Sequence, residues 1–246
     1  MGRKELPNHN ASAKYVLWSH PGGGMADALA LGASGAIRAG SSPAPGIPSS
    51  TPLKEDRNVR QLSVFSSVTL DGYFTSPKGD MSWAHQARTD EEWNAFVSGN
   101  AKGGGMPLFG RVTYDMMKSY WPTPMALKND PVVAAGMNSM PKVVFSKTLK
   151  EATWSNTKVV KGNIAAEVRT MKKASGPDMV ILGSGTIVSQ FAREGLIDSY
   201  QLVVIPLVIG EGRTLFEGVK NKLPLKLTGS RSFKNGNVVL TYEPVT

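Results

Sequence analysis

The sequence predicts an α/β domain built on a mixed sheet, parallel in its middle and antiparallel at one edge. From residue 61 to about residue 198, short apolar strands alternate with segments that carry apolar residues at helical spacing. The strand Met179–Leu182 is apolar throughout, which is typical of a central parallel strand. The chain then ends in two strands, at 224–233 and 237–244, around Asn235-Gly236, a dipeptide that strongly favours a hairpin.

The domain is expected to open with a strand, a turn and a helix. Leu62–Leu70 predicts the strand, and the turn dipeptide Asp71-Gly72 follows it. Thr89 and Glu92 have the spacing of a capping box, so Thr89 is predicted to be the N-cap of the helix and Glu92 its third residue. Apolar residues then continue at helical spacing.

The remaining elements are predicted by the same signals. We expect strands at 106–110, 142–146 and 158–160, helices at 111–121 and 131–140, a helix that Asn163 caps and Gly176-Pro177 ends, the strand–turn–helix that begins at Met179 and ends before Gly195, and a long strand at 199–209. The stretch 211–213, Glu-Gly-Arg, predicts a turn.

Residues 1–60 differ in composition from the rest of the chain. Most residues between Pro21 and Ser50 are Gly, Pro, Ser or Ala, and such a segment buries too little apolar surface to offset the entropy lost on ordering. We therefore expect 1–60 to be a disordered extension and 61–246 to be the folded domain. The extension lacks the apolar core of a signal peptide, which leaves a targeting segment, a linker and an over-extended start of translation as alternatives.

The composition of the 246-residue chain excludes several classes of function. It has no cysteine, which excludes disulfides, Cys-ligated zinc and thiol catalysis, and its three histidines predict no metal site. No apolar run is long enough to span a bilayer. The formal net charge of +9 would suit nucleic acid, but the basic residues are scattered, and a mild positive field suits an anionic small ligand equally well.

A glycine-rich turn follows the strand Met179–Leu182. The stretch 183–186, Gly-Ser-Gly-Thr, allows a ligand to approach the backbone, adds two hydroxyl groups and leads into a helix N-terminus with partial positive charge. The pattern favours phosphate, although a tight turn without a ligand would have the same sequence. It is not a Rossmann fingerprint, because Val188 occupies the position of the third glycine and no acidic residue follows about 20 residues later.

Two further strand ends carry similar chemistry. Arg111 lies in the first turn of a predicted helix, where a basic residue is unfavourable for the dipole, so it suggests an anionic partner unless it faces solvent. The stretch 146–148, Ser-Lys-Thr, adds hydroxyl groups and a cation after the next strand. Because ligands of open α/β sheets bind beyond the carboxyl ends of the strands, the three ends together favour one extended dinucleotide.

Several segments, in this order, resemble the motif series of the dihydrofolate reductase-like family, in the branch shared with the reductase domain of bifunctional riboflavin-biosynthesis enzymes. They are Phe109–Met116, Lys142–Leu149, Val180–Thr186, Leu196–Leu202 and the proline- and glycine-containing strand pattern Val204–Phe216. The resemblance covers residues 61 to about 244. It implies a three-layer fold with a mostly parallel central sheet, an antiparallel C-terminal hairpin and helices on both faces.

The resemblance also implies NADPH as the cofactor. The residues that would hold its phosphates and adenosine half are Gly110, Arg111, Thr113, Ser146, Lys147, Thr148, Gly183, Ser184, Gly185 and Thr186. Among these, Arg111 would contact the 2′-phosphate that distinguishes NADPH from NADH. Thr69, Leu70, Asp71 and Gly72 would lie near the nicotinamide.

Reduction of a C=N or C=O group in a pteridine- or pyrimidinone-like heterocycle, the reaction that the resemblance implies, needs a proton donor. Asp71, at the end of the first strand, is one candidate for this catalytic role, although Asp-Gly also forms turns. Asp90 is the other, although as the first residue of the predicted helix it would complement the helix dipole, which lowers the pKa of a carboxyl group.

Trp83 and His85 fall in a loop that would cover the substrate pocket. Trp83 could stack on a heterocycle or pack in the core, and His85 could be exposed or hydrogen-bonded. Together with Leu70, Trp83 is predicted to line the pocket. The sequence thus predicts a cytoplasmic, NADPH-dependent oxidoreductase that acts alone or as a homodimer on a small heterocycle, without nucleic-acid or membrane partners. The alternatives are an NADP(H)-binding protein without turnover and a nucleic-acid-binding protein.

Overall fold

A computed structural model describes residues 59–85 and 90–245. Alternating strands and helices build a central eight-stranded sheet and a separate two-stranded sheet. The strands are β1 (Leu62–Thr69), β2 (Tyr73–Thr75), β3 (Met106–Gly110), β4 (Lys142–Phe145), β5 (Thr157–Val160), β6 (Met179–Leu182), β7 (Ser199–Ile205), β8 (Arg213–Thr214), β9 (Leu225–Ser232) and β10 (Val238–Pro244). The α-helices are α1 (Glu91–Lys102), α2 (Arg111–Tyr120), α3 (Pro124–Asn129), α4 (Pro131–Ser139), α5 (Ile164–Lys173) and α6 (Gly185–Arg193), and a 3₁₀ helix spans Ser82–His85.

The strand order of the central sheet confirms the predicted mixed sheet. The order is β5-β4-β3-β6-β1-β7-β10-β9. All neighbours from β5 to β7 are parallel, whereas β10 runs antiparallel to both β7 and β9. The carboxyl ends of the six parallel strands therefore lie at one edge of the sheet, called here the carboxyl edge.

Helices cover both faces of the sheet, as predicted, because its central strands are apolar on both sides. The first face packs Phe65, Phe109 and Leu182 against α1 to α4. The second face packs alternate residues of the same strands, among them Leu108 and Ile181, against α5 and α6. Each large apolar side chain that is fully buried in these two cores stabilises the fold by about 1.5–3 kcal/mol.

The folded domain begins slightly earlier than predicted. The predicted disordered extension, residues 1–60, lies outside the described residues except for Val59 and Arg60. The Arg60 backbone N–H donates to the carbonyl of Lys172 at 2.9 Å. Its buried guanidinium donates to the carbonyl of Pro177, so Arg60 belongs to the domain.

The predicted start of α1 is wrong. Thr89 lies outside the described residues, and the helix has Asp90 as its N-cap, with Glu91 as its first residue. Asp90 Oδ1 accepts a hydrogen bond from the Trp93 backbone N–H at 3.1 Å, and Oδ2 accepts another from the Asn235 N–H at 2.9 Å. The Asp90 carboxylate thus caps the helix and also binds the backbone of the β9–β10 hairpin. The helix therefore begins one residue later than it would with Thr89 as its N-cap.

The remaining differences from the prediction lie in the segments that follow β7 and α2. β7 ends at Ile205 and not at Ile209, because Pro206 has no N–H for a sheet bond. The stretch predicted as a turn at 211–213 instead runs into β8, which pairs with β2. Gly212 permits this pairing, because a Cβ atom there would lie 2.3 Å from the Thr75 carbonyl oxygen. The short helix α3 is a further element that the sequence did not predict.

Candidate functional site

The three strand ends with phosphate-type chemistry lie side by side. β4, β3 and β6 are consecutive and parallel in the sheet, and β1 follows next. Neighbouring strands lie about 4.8 Å apart, so the ends that carry Ser146, Gly110 and Gly183 lie within about 10 Å of one another. The fold thus brings together the predicted cofactor residues at 110–113, 146–148 and 183–186, with the end of β1 beside them.

Two of these strand ends are joined directly by Ser184. Gly183 and Ser184 have left-handed backbones, with φ of 56° and 53°, and a serine in that conformation costs about 1–2 kcal/mol. Ser184 Oγ accepts a hydrogen bond from the Gly110 N–H at 2.9 Å and lies 3.0 Å from Thr113 Oγ1. These contacts hold the turn against the start of α2 and offset the free-energy cost of the left-handed backbone at Ser184.

The first two amides of α6, one of them in the buried residue Gly185, have no partner among the described residues. The Ser184 carbonyl accepts from the N–H groups of Ile187 and Val188, whereas those of Gly185 and Thr186 have no acceptor among the described residues. Such amides and the helix dipole favour an anion. Gly185 must be glycine, because a Cβ atom there would lie 2.5 Å from Cζ of Phe74.

Arg111 begins α2 and is partly exposed. Its Nε donates to the Asp115 carboxylate at 2.5 Å, one helical turn later. Asp115, which the sequence analysis did not name, is therefore the anionic group that Arg111 contacts in the structure. An exposed pair of this kind contributes only about 0.3–0.5 kcal/mol, so a phosphate group could replace the carboxylate.

The third strand end is ordered by its own serine. Ser146 Oγ accepts hydrogen bonds from the N–H groups of Thr148 at 3.3 Å and Leu149 at 3.1 Å, which folds the loop after β4. The Lys147 and Thr148 residues are exposed beside it. This loop presents one cation and hydroxyl groups to the carboxyl edge.

Asp71, the first candidate proton donor, has both carboxylate oxygens engaged. Oδ1 accepts from the Thr69 hydroxyl at 2.5 Å, and Oδ2 accepts from the N–H groups of Ile209 at 3.1 Å and Gly210 at 2.8 Å. The Thr69 hydrogen bond, with those of the two amides, holds the pKa of Asp71 below its ordinary value. The group is therefore ionised at neutral pH.

Asp90, the second candidate, also has both carboxylate oxygens in hydrogen bonds, but it is buried. Burial works against its charged form, but the N–H groups of Trp93 and Asn235 stabilise that form and leave the pKa lowered. An ionised carboxylate has no proton to give. The role of either aspartate as catalytic acid stays a prediction, and this geometry weighs against both.

The two predicted pocket residues have different environments. Trp83 lies in the 3₁₀ helix and packs in the core of the first face, and its Nε1 has no acceptor among the described residues. Leu70 is 66% exposed at the end of β1. Leu70 is thus exposed to solvent beside the carboxyl edge. Trp83 packs in the core, which is one of the two roles that the sequence allowed for it.

Arg213 is a residue at this site that the sequence reasoning missed. Its Nη2 lies 3.5 Å from the Thr186 hydroxyl oxygen, and its guanidinium lies over the Phe74 ring at 5.8 Å from the centroid. The β2–β8 pairing holds both side chains at the start of α6. A signal was present in the sequence, because Gly212-Arg213 repeats the glycine–arginine pair of Gly110-Arg111 beyond another strand.

Other site types find no support in the described part of the chain. Within residues 59–85 and 90–245, no helix is long and apolar enough to cross a membrane. The same residues contain no group of three His, Asp or Glu side chains placed to hold a metal ion.

The strand order, the two helical layers and the carboxyl edge define an α/β protein with the dihydrofolate reductase-like fold. A family model described as "RibD C-terminal domain" matches residues 60–239 of the chain. The chain therefore belongs to the RibD C-terminal domain family.

Relatives and solved structures agree with this placement. The chain is 30% identical to the Bacillus subtilis protein YyaP over 190 residues, which cover 77% of this chain and 96% of that protein. A putative riboflavin biosynthesis protein from Shewanella sp. PV-4 superposes with a TM-score of 0.57 at 22% identity, covering 76% of this chain and 99% of that one. Enterococcus faecalis dihydrofolate reductase complexed with NADP(H) superposes at 0.52 and 12% identity, covering 77% and 98%. These two structures support the fold.

Proposed function

We propose that this protein is an NADPH-dependent reductase of a pteridine- or pyrimidinone-like heterocycle, similar to 5-amino-6-(5-phosphoribosylamino)uracil reductase or dihydrofolate reductase. The observation that carries the proposal is the convergence of three hydroxyl- and cation-bearing strand ends at the carboxyl edge. The family match and a structural neighbour described as NADP(H)-bound support it. The proposed enzyme is cytoplasmic and acts as a homodimer.

The residues present fit a phosphorylated dinucleotide. The free amides of Gly185 and Thr186, with Arg213 beside them, would hold the pyrophosphate. Arg111 would hold the 2′-phosphate after leaving Asp115, because a guanidinium binds phosphate through paired hydrogen bonds. The loop at 146–148 would flank the adenosine half.

The chain's own part in the chemistry is to position the reactants and to handle the proton. When bound, NADPH supplies a hydride. Asp71 and Asp90 are ionised at neutral pH and hold no proton for the reduced atom. We therefore assign the proton to water that reaches the pocket, which the exposed end of β1 at Leu70 and Asp71 allows.

Cofactor titration tests the proposal. NADPH should quench tryptophan fluorescence with saturation, and NADH should bind more weakly because it lacks the phosphate assigned to Arg111. Absence of quenching, or equal affinity for both cofactors, would contradict the assignment. NADH, which keeps the pyrophosphate and lacks only the 2′-phosphate, is the matched control for the 2′-phosphate contact.

The second candidate function is an NADP(H)-binding protein without turnover. Its support is that both candidate acids have their oxygens occupied by hydrogen-bond donors. Steady NADPH oxidation separates the two functions, with 7,8-dihydrofolate and a ribosylaminopyrimidinone as test substrates. Turnover of either compound removes the second candidate.

A further inference from the structure

A buried lysine holds the end of α4. Lys142, the first residue of β4, is 1% exposed. Its Nζ donates to the carbonyl groups of Met137 at 2.9 Å, Asn138 at 3.2 Å and Met140 at 2.7 Å. These carbonyls end the helix, and Pro141 has no N–H to continue it. The three protons of one ammonium group therefore satisfy the end of α4.

The same ammonium group lies over an indole ring. Nζ is 4.7 Å from the centroid of the Trp154 ring. The ring is fixed from other sides, because its Nε1 donates to Asn138 Oδ1 at 2.8 Å and the Trp154 backbone N–H donates to the Tyr114 hydroxyl at 3.1 Å. The Lys142 side chain, the end of α4 and Trp154 thus form one group of contacts, called here the Lys142 cluster.

No acidic side chain among the described residues neutralises this charge. The Tyr114 phenol is the other titratable group of the cluster. The carboxylates on the surrounding elements are paired, exposed or at the far end of α4: they are Asp115, which pairs with Arg111, Glu151, which is exposed, Glu167, which pairs with Lys158, and Asp130, the N-cap of α4. The carbonyl groups stabilise the ammonium, but burial favours the neutral amine and lowers the pKa of Lys142 to about 8.

The second face of the sheet has a similar arrangement with a different cation. Arg60 is also buried, and its guanidinium donates to the carbonyl groups of Pro177 and, at 3.4 Å, of Met171 in the last turn of α5. A guanidinium keeps its proton in proteins, whereas an ammonium group can lose one. The end of α5 therefore has a permanent cation, and the end of α4 has a titratable one.

We propose that Lys142 is a pH-sensitive latch: its protonated side chain holds the end of α4 and the Trp154 ring, and loss of the proton loosens both while the domain stays folded. A neutral amine has two N–H donors for three carbonyl groups and no charge to attract the ring. One carbonyl group therefore loses its donor, and the ring loses its cation, in mildly alkaline solution. This latch is independent of the proposed reductase function.

The stability of the whole domain should rise when the latch opens. The pKa of Lys142 is about 8 in the folded protein and about 10.4 in an unfolded chain, so between these values the unfolded chain binds more protons. The unfolding free energy therefore increases with pH in this window. From pH 7 to about pH 9.5, this residue alone should raise the folding equilibrium constant about 20-fold. Tyr200, whose pKa burial raises to about 12, acts in the opposite direction above about pH 10.

Titration of the full chain from pH 7 to about pH 9.5 tests the latch. Tryptophan fluorescence should show a step with a midpoint near pH 8, and one lysine Cε signal in the ¹³C NMR spectrum should titrate with it. Lys142→Met, with an unbranched apolar side chain, should lose both changes and the rise in stability measured by urea unfolding. Lys158→Met is the matched control, because Lys158 is an exposed lysine on the neighbouring strand β5, and it should keep all three.

A second variant keeps the lysine and tests the same cluster. Trp154→Phe should abolish the fluorescence step, because Trp154 is the indole that lies over Nζ. It should also shift the titrating Cε signal, since a different ring then lies beside it. This variant assigns the signal to Lys142 even where Lys142→Met does not fold.

Three results would overturn the proposal. The first is a wild-type protein in which no lysine titrates below about pH 10. The second is a fluorescence step that persists in Trp154→Phe. The third is an equal rise in stability in the wild type and in Lys142→Met.

Discussion

The two halves of the carboxyl edge differ in what their polar groups already bind. On the side of β6 and β3, the amides of Gly185 and Thr186 have no acceptor among the described residues. On the side of β1 and the hairpin, Asp71 and Asp90 have all their oxygens engaged. The first half, called here the free half, has donors without a partner that a ligand could use. In the second half, called here the occupied half, the carboxylate oxygens already accept hydrogen bonds that hold loops and a helix in place.

The largest effect is expected at the contact that shapes the free half. Gly185→Ala would place a Cβ atom 2.5 Å from Phe74 Cζ, so Phe74 must move and disturb the start of α6. We expect unfolding free energy to fall by about 1–3 kcal/mol and NADPH binding to be lost. Urea unfolding and fluorescence titration measure the two effects. Gly229→Ala is the control, since its Cβ atom would meet Thr241 at an ordinary 3.7 Å. Unchanged stability in Gly185→Ala would contradict the packing argument.

The next effect separates the two arginines of the free half. Arg213→Gln should weaken NADPH and NADH equally, because both carry the pyrophosphate assigned to Arg213. Arg111→Gln should weaken only NADPH. Each loss should be about 10- to 100-fold, as expected for a hydrogen-bonded pair of charged groups. Titration of both variants with both cofactors gives the four constants, and an Arg213→Gln variant that loses affinity for NADPH but not for NADH would contradict the assignment.

Acid unfolding tests the occupied half. The lowered pKa of Asp90 means that its stabilising effect is full above its unfolded pKa of about 3.9 and is lost as pH falls through the folded value. Asp90→Asn should lower the melting temperature at neutral pH and flatten its decline below about pH 4. Asp71→Asn, at an exposed site, should change the profile less. Equal profiles for Asp90→Asn and the wild type would exclude Asp90 as a source of the acid sensitivity.

The comparison also shows which parts of the molecule local sequence could predict. The order of strands and helices, the C-terminal hairpin and the Gly183-Ser-Gly-Thr186 turn are encoded by periodicity and turn residues within short windows. The end of β7 at Ile205 could also have been predicted from the sequence, because Pro206 cannot extend a central strand.

The parts that were missed depend on contacts distant in sequence. Asp90 replaces Thr89 as the helix cap because its second oxygen meets the N–H of Asn235, 145 residues away. The β2–β8 sheet has strands of three and two residues, too short for any periodic signal. The Gly212-Arg213 pair hinted at a similar role, but Arg213 reaches the candidate site through the β2–β8 pairing, which joins segments distant in sequence.

The smallest expected effect concerns the ion pair between Arg111 and Asp115. Asp115 holds Arg111 at 2.5 Å, with both side chains more than two-fifths exposed. Asp115→Ala should change the unfolding free energy by less than about 0.5 kcal/mol, because exposed pairs contribute little. It should strengthen NADPH binding slightly and leave NADH unchanged, since Arg111 no longer has to leave a carboxylate before it meets the 2′-phosphate. Glu217→Ala, which frees Arg213 from a similar i,i+4 pair, is the matched variant and should strengthen both cofactors alike. Weaker NADPH binding in Asp115→Ala would mean that Asp115 orients Arg111 for the phosphate and does not compete with it.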